Sequence, residues 1–329
     1  MTEDTGVQRR ILTEISPVAW EHPADRAALN ALRRIPGFDL ALRKIFGLFG
    51  ERAIRLAFKA NAVRVSPNQY GWVHERLLRV CEILDVADPP EVYISQTPVV
   101  NAGAVGMGDP FIVLNSSMLE VLSHDEVEAV LGHEVGHILS GHVLYRTLLI
   151  IVLNLVVLRY TIVGLAIRPI LMGLMEWYRK SELSSDRAGL LAIQNPEIAM
   201  SSLMHMAGGT RGETLDLEEF VAQSEEYREG GDLLDAVYKV LNVLGQTHPF
   251  AVIRVGELRD WMESGDYDRI LSGEYQRRSE KDERPYRQDL HEAMTGYKDA
   301  ARELLDEVDA SVDRLKTKIT DAFKGRRDV

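Results

Sequence analysis

The sequence predicts an α+β protein, mostly helical, with a small β-sheet set directly before a helix that carries His133-Glu-Val-Gly-His137. Three observations predict it. Short β-rich runs bounded by Pro and Gly fill residues 91–115. Apolar residues then recur at helical spacing from Val127 to Leu139, and from about residue 190 onward no strand signal returns. At 329 residues, 46% hydrophobic and 27% charged, the chain is long enough for a sizeable core and is neither disordered nor fibrous.

Charge and cysteine usage exclude several functions. A net charge of −12 argues against a nucleic-acid partner, because neutralising phosphates needs a basic face. Cys81 is the sole cysteine, so neither an intramolecular disulfide nor a thiolate metal site can form. The N-terminus, Met-Thr-Glu-Asp-Thr-Gly-Val-Gln, has no basic segment leading into an apolar one. We therefore expect a cytoplasmic protein, or one whose soluble part faces the cytoplasm, and not a secreted one.

Taken in order, residues 1–69 form an N-terminal helical region. Within it Arg33, Arg34, Arg43, Lys44, Arg52, Arg55 and Lys59 alternate with Phe38, Leu42, Phe46, Ile54 and Phe58. Such a basic amphipathic segment either buries its apolar face in the core or lies on an anionic membrane. Residues 70–84 read as a helix stopped by Pro89-Pro90. The strand Glu91–Ser95 follows, then Val99–Gly106, a turn at Gly108-Asp109-Pro110, and the strand Phe111–Asn115. Residues 263–289 are rich in charge, Gly, Ser and Tyr and read as an exposed linker. Residues 290–329 place Met294, Tyr297, Leu304, Val308, Leu315 and Ile319 on one helical face, which docks back, dimerises or covers a cleft.

The chemistry lies in the middle region, 70–262. Ser123-His-Asp-Glu126 is a capping box that starts a helix. That helix stacks His133 and His137 one turn apart, able to offer two imidazoles to one metal, here Zn2+. Glu134 lies about 100° around the helix, offset from the metal and suited to hold its water. A catalytic zinc needs a third protein ligand. A third His six residues after the second is excluded, because Val143 stands there; His142 misses by one residue and reads as an outer-shell or structural group. Glu182 supplies the ligand instead, with Asp186 one turn on to accept a proton from the far nitrogen of a ligating His. Glu176 competes for this role but lacks such a partner.

These residues resemble the forty-eighth metallopeptidase family, the HtpX-like and CAAX-prenyl-protease-like gluzincins. The resemblance covers about residues 70–260. It rests on Asn101-Ala-Gly-Ala, on Val130-Leu-Gly-His-Glu-Val-Gly-His-Ile-Leu-Ser-Gly-His142, on Glu182 with Asp186, and on Thr247-His-Pro-Phe-Ala-Val-Ile-Arg254. It implies a gluzincin-type zincin fold in which His133, His137 and Glu182 bind zinc and Glu134 is the catalytic acid/base. It also implies that His248 and Arg254 lie near the cleft, to stabilise the oxyanion or position substrate. Asn101 and Ala102 then mark the edge where a polypeptide substrate lies, with Phe111–Asn115 as the other candidate edge. The chain departs from the family pattern at Ser185, where Ala is frequent, and at Gly103, where an aromatic is frequent. The expected activity is zinc-dependent endopeptidase action on unfolded or membrane-associated proteins. The alternative is a metal-binding chaperone or scaffold of the same fold.

Between the ligands, residues 143–177 are strongly apolar and predict a helical hairpin. His137 and Glu182 must meet at one metal, so this stretch crosses a membrane an even number of times or not at all. Two crossings need two helices of about 20 residues, for which the length barely suffices. An αα-hairpin buried in the core or lying at the interface satisfies the same constraint. We favour membrane association, integral or peripheral, over a purely soluble fold. Oligomers through the C-terminal helix are a further expectation.

Overall fold

The computed structural model describes residues 9–33, 51–106, 108–147, 149, 161–210, 215–229 and 250–280. The expected small sheet has four strands: β1 (Ala62–Arg64), β2 (Val92–Ser95), β3 (Ala102–Val105) and β4 (Phe111–Asn115). Their order is β1-β2-β4-β3. β2 and β4 run parallel, while β1 on β2 and β3 on β4 are antiparallel. β1 was not anticipated; at three residues it is too short to show an alternating pattern.

This topology corrects one expectation. β4 has a neighbour on each side, so Phe111–Asn115 offers no free edge, and among the described residues β3 and β1 are the outer strands.

Helices make up most of the rest of the described residues. In chain order they are α1 (Pro23–Arg33), α2 (Glu51–Asn61), α3 (Gly71–Ile83), α4 (Ser116–Val121), α5 (His124–Leu139), α6 (Thr161–Ile193), α7 (Pro196–Gly208), α8 (Leu217–Glu229), α9 (Ala251–Glu263) and α10 (Asp266–Ser272). The capping box at the start of α5 forms in full: the Ser123 side chain accepts from the Glu126 N–H, and the Glu126 carboxylate accepts from the Ser123 N–H. α5 is buried along nearly its whole length, against α3, α6, α7 and β3.

The α5–α6 contact is unusually close. A Cβ added at Gly132 would meet the Ala192 Cβ at 2.5 Å, and one at Gly136 would meet the Ala188 Cβ at 2.5 Å. From the other side, a Cβ at Gly189 would come within 2.9 Å of the Ala129 carbonyl oxygen. Partners fall in number along α6 as they rise along α5, so the helices run antiparallel with small residues interlocked. Ser185, the first departure from the family pattern, lies on this seam against Gly136.

Other expectations are modified by packing. Leu12, Ile15 and Trp20 belong to the same core as α5, so the N-terminal region is built into the body of the protein. Buried Glu128 of α5 pairs with Arg9 and Arg76 and ties that region down. The stretch read as a charged linker contains α10, whose Tyr267 and Ile270 are buried in the core. Beyond it the Arg278 N–H bonds the Glu14 carbonyl at 2.8 Å. The basic segment is described from Glu51; there Phe58 packs edge-on against Phe111 while Leu56 is exposed.

Of the apolar stretch 143–177, residues 148 and 150–160 lie outside the described residues. Its second part is not a separate arm, because α6 runs unbroken from Thr161 through the Glu182 turn to Ile193. No helix among the described residues is long and apolar enough to cross a membrane, so the structure lends the expected membrane hairpin no support. Residues 281–329, including the whole expected C-terminal helix, also lie outside the described residues.

A helical glycine facing solvent gains about 1 kcal/mol when replaced by Ala. At the α5–α6 seam the sign should invert. We expect Gly136→Ala to lower unfolding stability by about 1–3 kcal/mol through overpacking. Adding Ala188→Gly should recover most of it in urea titrations, and a stabilised single variant would contradict the seam.

Candidate metal centre

The seam places a turn of α5 against a turn of α6, and three side chains converge there. His133 Nε2 and His137 Nε2 are 3.1 Å apart, His137 Nε2 is 3.1 Å from Glu182 Oε1, and His133 Nε2 is 3.5 Å from Glu182 Oε2. Among the described residues these form the one group whose ligand atoms all lie within 4.8 Å of one another, and all three are buried. Ligand atoms about 2.0–2.1 Å from a tetrahedral zinc are separated by about 3.3 Å, so the spacing suits that ion. Two imidazole nitrogens and a carboxylate turned on one point, away from water, are a donor set that could hold a metal ion.

Their outer nitrogens are engaged by different partners. His133 Nδ1 lies 2.9 Å from Asp186 Oδ1. Asp186 in turn accepts from Arg254 Nε at 2.8 Å and pairs with its Nη2. His137 Nδ1 lies 3.0 Å from His142 Nδ1, whose Nε2 is 2.9 Å from Asp25 Oδ2 on α1.

Electrostatics follow from these pairs. Burial disfavours a charged His133, but its hydrogen bonds to Asp186 and Glu182 outweigh that and raise its pKa to about 9. His137 is pushed well below its ordinary value by burial, against the pull of Glu182. Burial would raise the Asp186 pKa, yet the Arg254 charge and hydrogen bonds hold it below the usual range. Tyr178 is pushed well up by burial.

Glu134 lies at the cleft but outside the triad. Its Oε2 accepts from the Ala104 N–H at 2.6 Å and from Arg146 Nη1 at 3.1 Å. Asn101 pairs with Asn115 on the β4 side, so the groups of Ala102 and Ala104 point outward from β3. The Ala102 carbonyl accepts from Arg146 Nη2 at 3.2 Å, and beyond the strand the Gly106 carbonyl accepts from Thr147 Oγ1 at 3.0 Å. Part of this edge is therefore covered by the protein's own side chains. Gly103, the second departure from the family pattern, is explained here: a Cβ on it would meet Arg146 Nη2 at 2.7 Å. The guanidinium also lies 5.3 Å from the centre of the Tyr178 ring.

A cleft of about 410 Å³ opens beside the triad, lined by Asn101, Ala102, His133, Glu134, Glu182 and Arg254 among others. Its lining also includes apolar Leu190, Leu203 and Met206. Seven of the nine residues singled out for roles at the site, counting Asp186, thus meet around one cleft. His137 is the eighth; it completes the triad from the buried side. His248 lies outside the described residues. Arg254, expected beside substrate, directs its hydrogen bonds to Asp186.

Sequence reasoning missed Arg146, Tyr178 and Asp25. Arg146 carried a usable signal, since a cation inside the apolar run Val143–Leu149 needs a partner. Asp25 carried none, because its contact with the site is made only through the packing of α1 on α6.

A buried His-His-Glu triad beside an offset glutamate, on a glycine-seamed helix pair with a small sheet, defines a metallopeptidase centre. The family model for peptidase family M48 matches residues 67–262, and the chain belongs to that family. It is 32% identical over 261 residues to the plastoglobule-localized metallopeptidase 48 of Arabidopsis thaliana, covering 77% of this chain and 74% of that one. It is 35% identical over 111 residues to protease HtpX of Xylella fastidiosa, covering 33% of this chain and 38% of that one. A protease HtpX homolog of Saccharolobus islandicus is 34% identical over 103 residues, 31% of this chain and 32% of its own. No solved structure matches the chain.

Removing one partner of a buried ion pair strands the other. Asp186→Ala should therefore cost about 3–5 kcal/mol in chemical denaturation. Combining it with Arg254→Met should recover part of that loss; a simple sum of the two single losses would show that they are not coupled.

Proposed function

We propose that this metallopeptidase is a zinc-dependent endopeptidase acting on extended, unfolded or membrane-associated polypeptides. The observation that carries the reading is the convergence of His133, His137 and Glu182 at tetrahedral-zinc spacing, with Glu134 beside them and not among them. A zinc ion held there would polarise a water and the scissile carbonyl and bring the water's pKa toward neutrality.

The chain's own residues do the rest. Glu134 takes a proton from the attacking water and passes it to the leaving amine. To do so its carboxylate gives up the Ala104 N–H or shares it, while Arg146 stays within hydrogen-bond reach of it. The outer edge of β3 is where an extended peptide adds by backbone hydrogen bonding. Its entry is the Val99–Ala102 rim, where Val99 is 60% exposed. Arg146 must then release the Ala102 carbonyl. The apolar residues that line the cleft, Leu190, Leu203 and Met206, receive a hydrophobic side chain, and backbone-led binding favours loose sequence preference. Asp186 and Arg254 act through His133, by holding its ring. His248 remains a candidate for polarising the carbonyl from the resemblance alone.

The test is cleavage of casein by the full chain. Wild type should hold about one zinc per chain and lose activity with a chelator. Glu134→Gln should retain its zinc and lose at least about 100-fold in rate. Equal cleavage by wild type and Glu134→Gln would refute the reading.

A further inference from the structure

The two imidazoles of the centre are held in different ways. Asp186 touches His133 directly, from the same helix as Glu182. His137 is held through a second histidine by a carboxylate on α1, upstream of the residues matched by the family model. We propose that Asp25 and His142 are positioning residues of the metal centre, with Asp25 selecting the His142 tautomer that orients His137.

Proton positions follow from the geometry. His137 turns Nε2 toward His133 and Glu182, so that nitrogen carries the lone pair for the metal and Nδ1 carries the proton. His142 Nδ1, 3.0 Å away, must then accept, which leaves its own proton on Nε2. That Nε2–H donates to Asp25 Oδ2 at 2.9 Å. The carboxylate can only accept, so it excludes the other His142 tautomer, in which two N–H groups would face each other across the His137 contact.

Burial makes the chain selective. His137 is wholly buried, and Asp25 and His142 are each 3% exposed, so water does not compete for these bonds. Asp25 is itself fixed, because Ser184 Oγ donates to its Oδ2 at 2.7 Å and α1 packs along α6. The His142 ring is held edge-on to Trp177 at 5.6 Å between centres. The N-terminal region thus supplies part of the metal site's support, and a fragment confined to residues 67–262 would lack it.

The inference rests on the zinc reading above, and the experiment separates the two. Full-length wild type, Asp25→Ala, Asp25→Asn and His142→Phe are compared in zinc affinity, by competition with a chromophoric chelator. The visible spectrum of the cobalt-substituted proteins and the melting temperature without metal are recorded alongside. We expect zinc affinity to fall about 10–100-fold in Asp25→Ala and His142→Phe, with altered cobalt bands. Asp25→Asn should stay within a few-fold of wild type, because its amide oxygen still accepts from His142. Zinc affinity and cobalt bands unchanged in both disruptive variants would overturn the inference, even if melting falls, since that is a structural role only. Should Asp25→Ala fail to fold, His142→Phe decides, because it keeps the aromatic volume beside Trp177. A wild type that binds no zinc would sink the parent reading, and with it this one.

Discussion

The close approach of α5 and α6 is the constraint on which the site depends. Ordinary helix pairs lie about 8–10 Å apart according to the side chains between them. At this seam glycine and alanine face each other, and any added carbon at Gly132 or Gly136 would overlap its neighbour. The reward is reach: a short glutamate on α6 arrives within hydrogen-bond distance of a histidine on α5. Spacing along the seam then decides the rest. Asp186 falls one turn beyond Glu182 and meets the back of His133, while Ser185 fills the narrow space against Gly136.

A cluster of this charge density survives burial only because its groups are paired. Asp186 has Arg254, Glu134 has Arg146, and Glu182 lies between two imidazoles. Each of these groups alone would cost several kcal/mol to remove from water. Linked together they also fix ring orientation, which a metal site requires more than it requires net charge. The same logic extends outward through His142 to Asp25, so the shell is drawn from helices far apart in the chain.

The sheet serves the site through its edge. β4 is enclosed, and β3 presents outward backbone groups beside Glu134. Part of that edge is engaged within the protein, the Ala102 carbonyl by Arg146 and the Ala104 N–H by Glu134, with Thr147 on the Gly106 carbonyl just beyond the strand. Gly103 belongs to this arrangement, because a Cβ there would push on the Arg146 guanidinium where it now sits.

Much of this was legible in the sequence, for reasons that are local. The Ser123 capping box, the one-turn spacing of His133 and His137, the pairing of Glu182 with Asp186, and the strand Phe111–Asn115 all depend on periodicity within a few residues. The sequence by itself therefore determined the motif helix, its offset glutamate and the candidate ligand set. It did not determine which sheet edge is free, that residues 263–280 would return to the core, or that Arg254 would turn to Asp186. Nor did it reveal Arg146 at Glu134 or Asp25 behind His142. Those are contacts between segments far apart in sequence, and no periodicity encodes them. Only the packing of α1 and α5 on α6, and the order of the strands, decided which buried charges would meet.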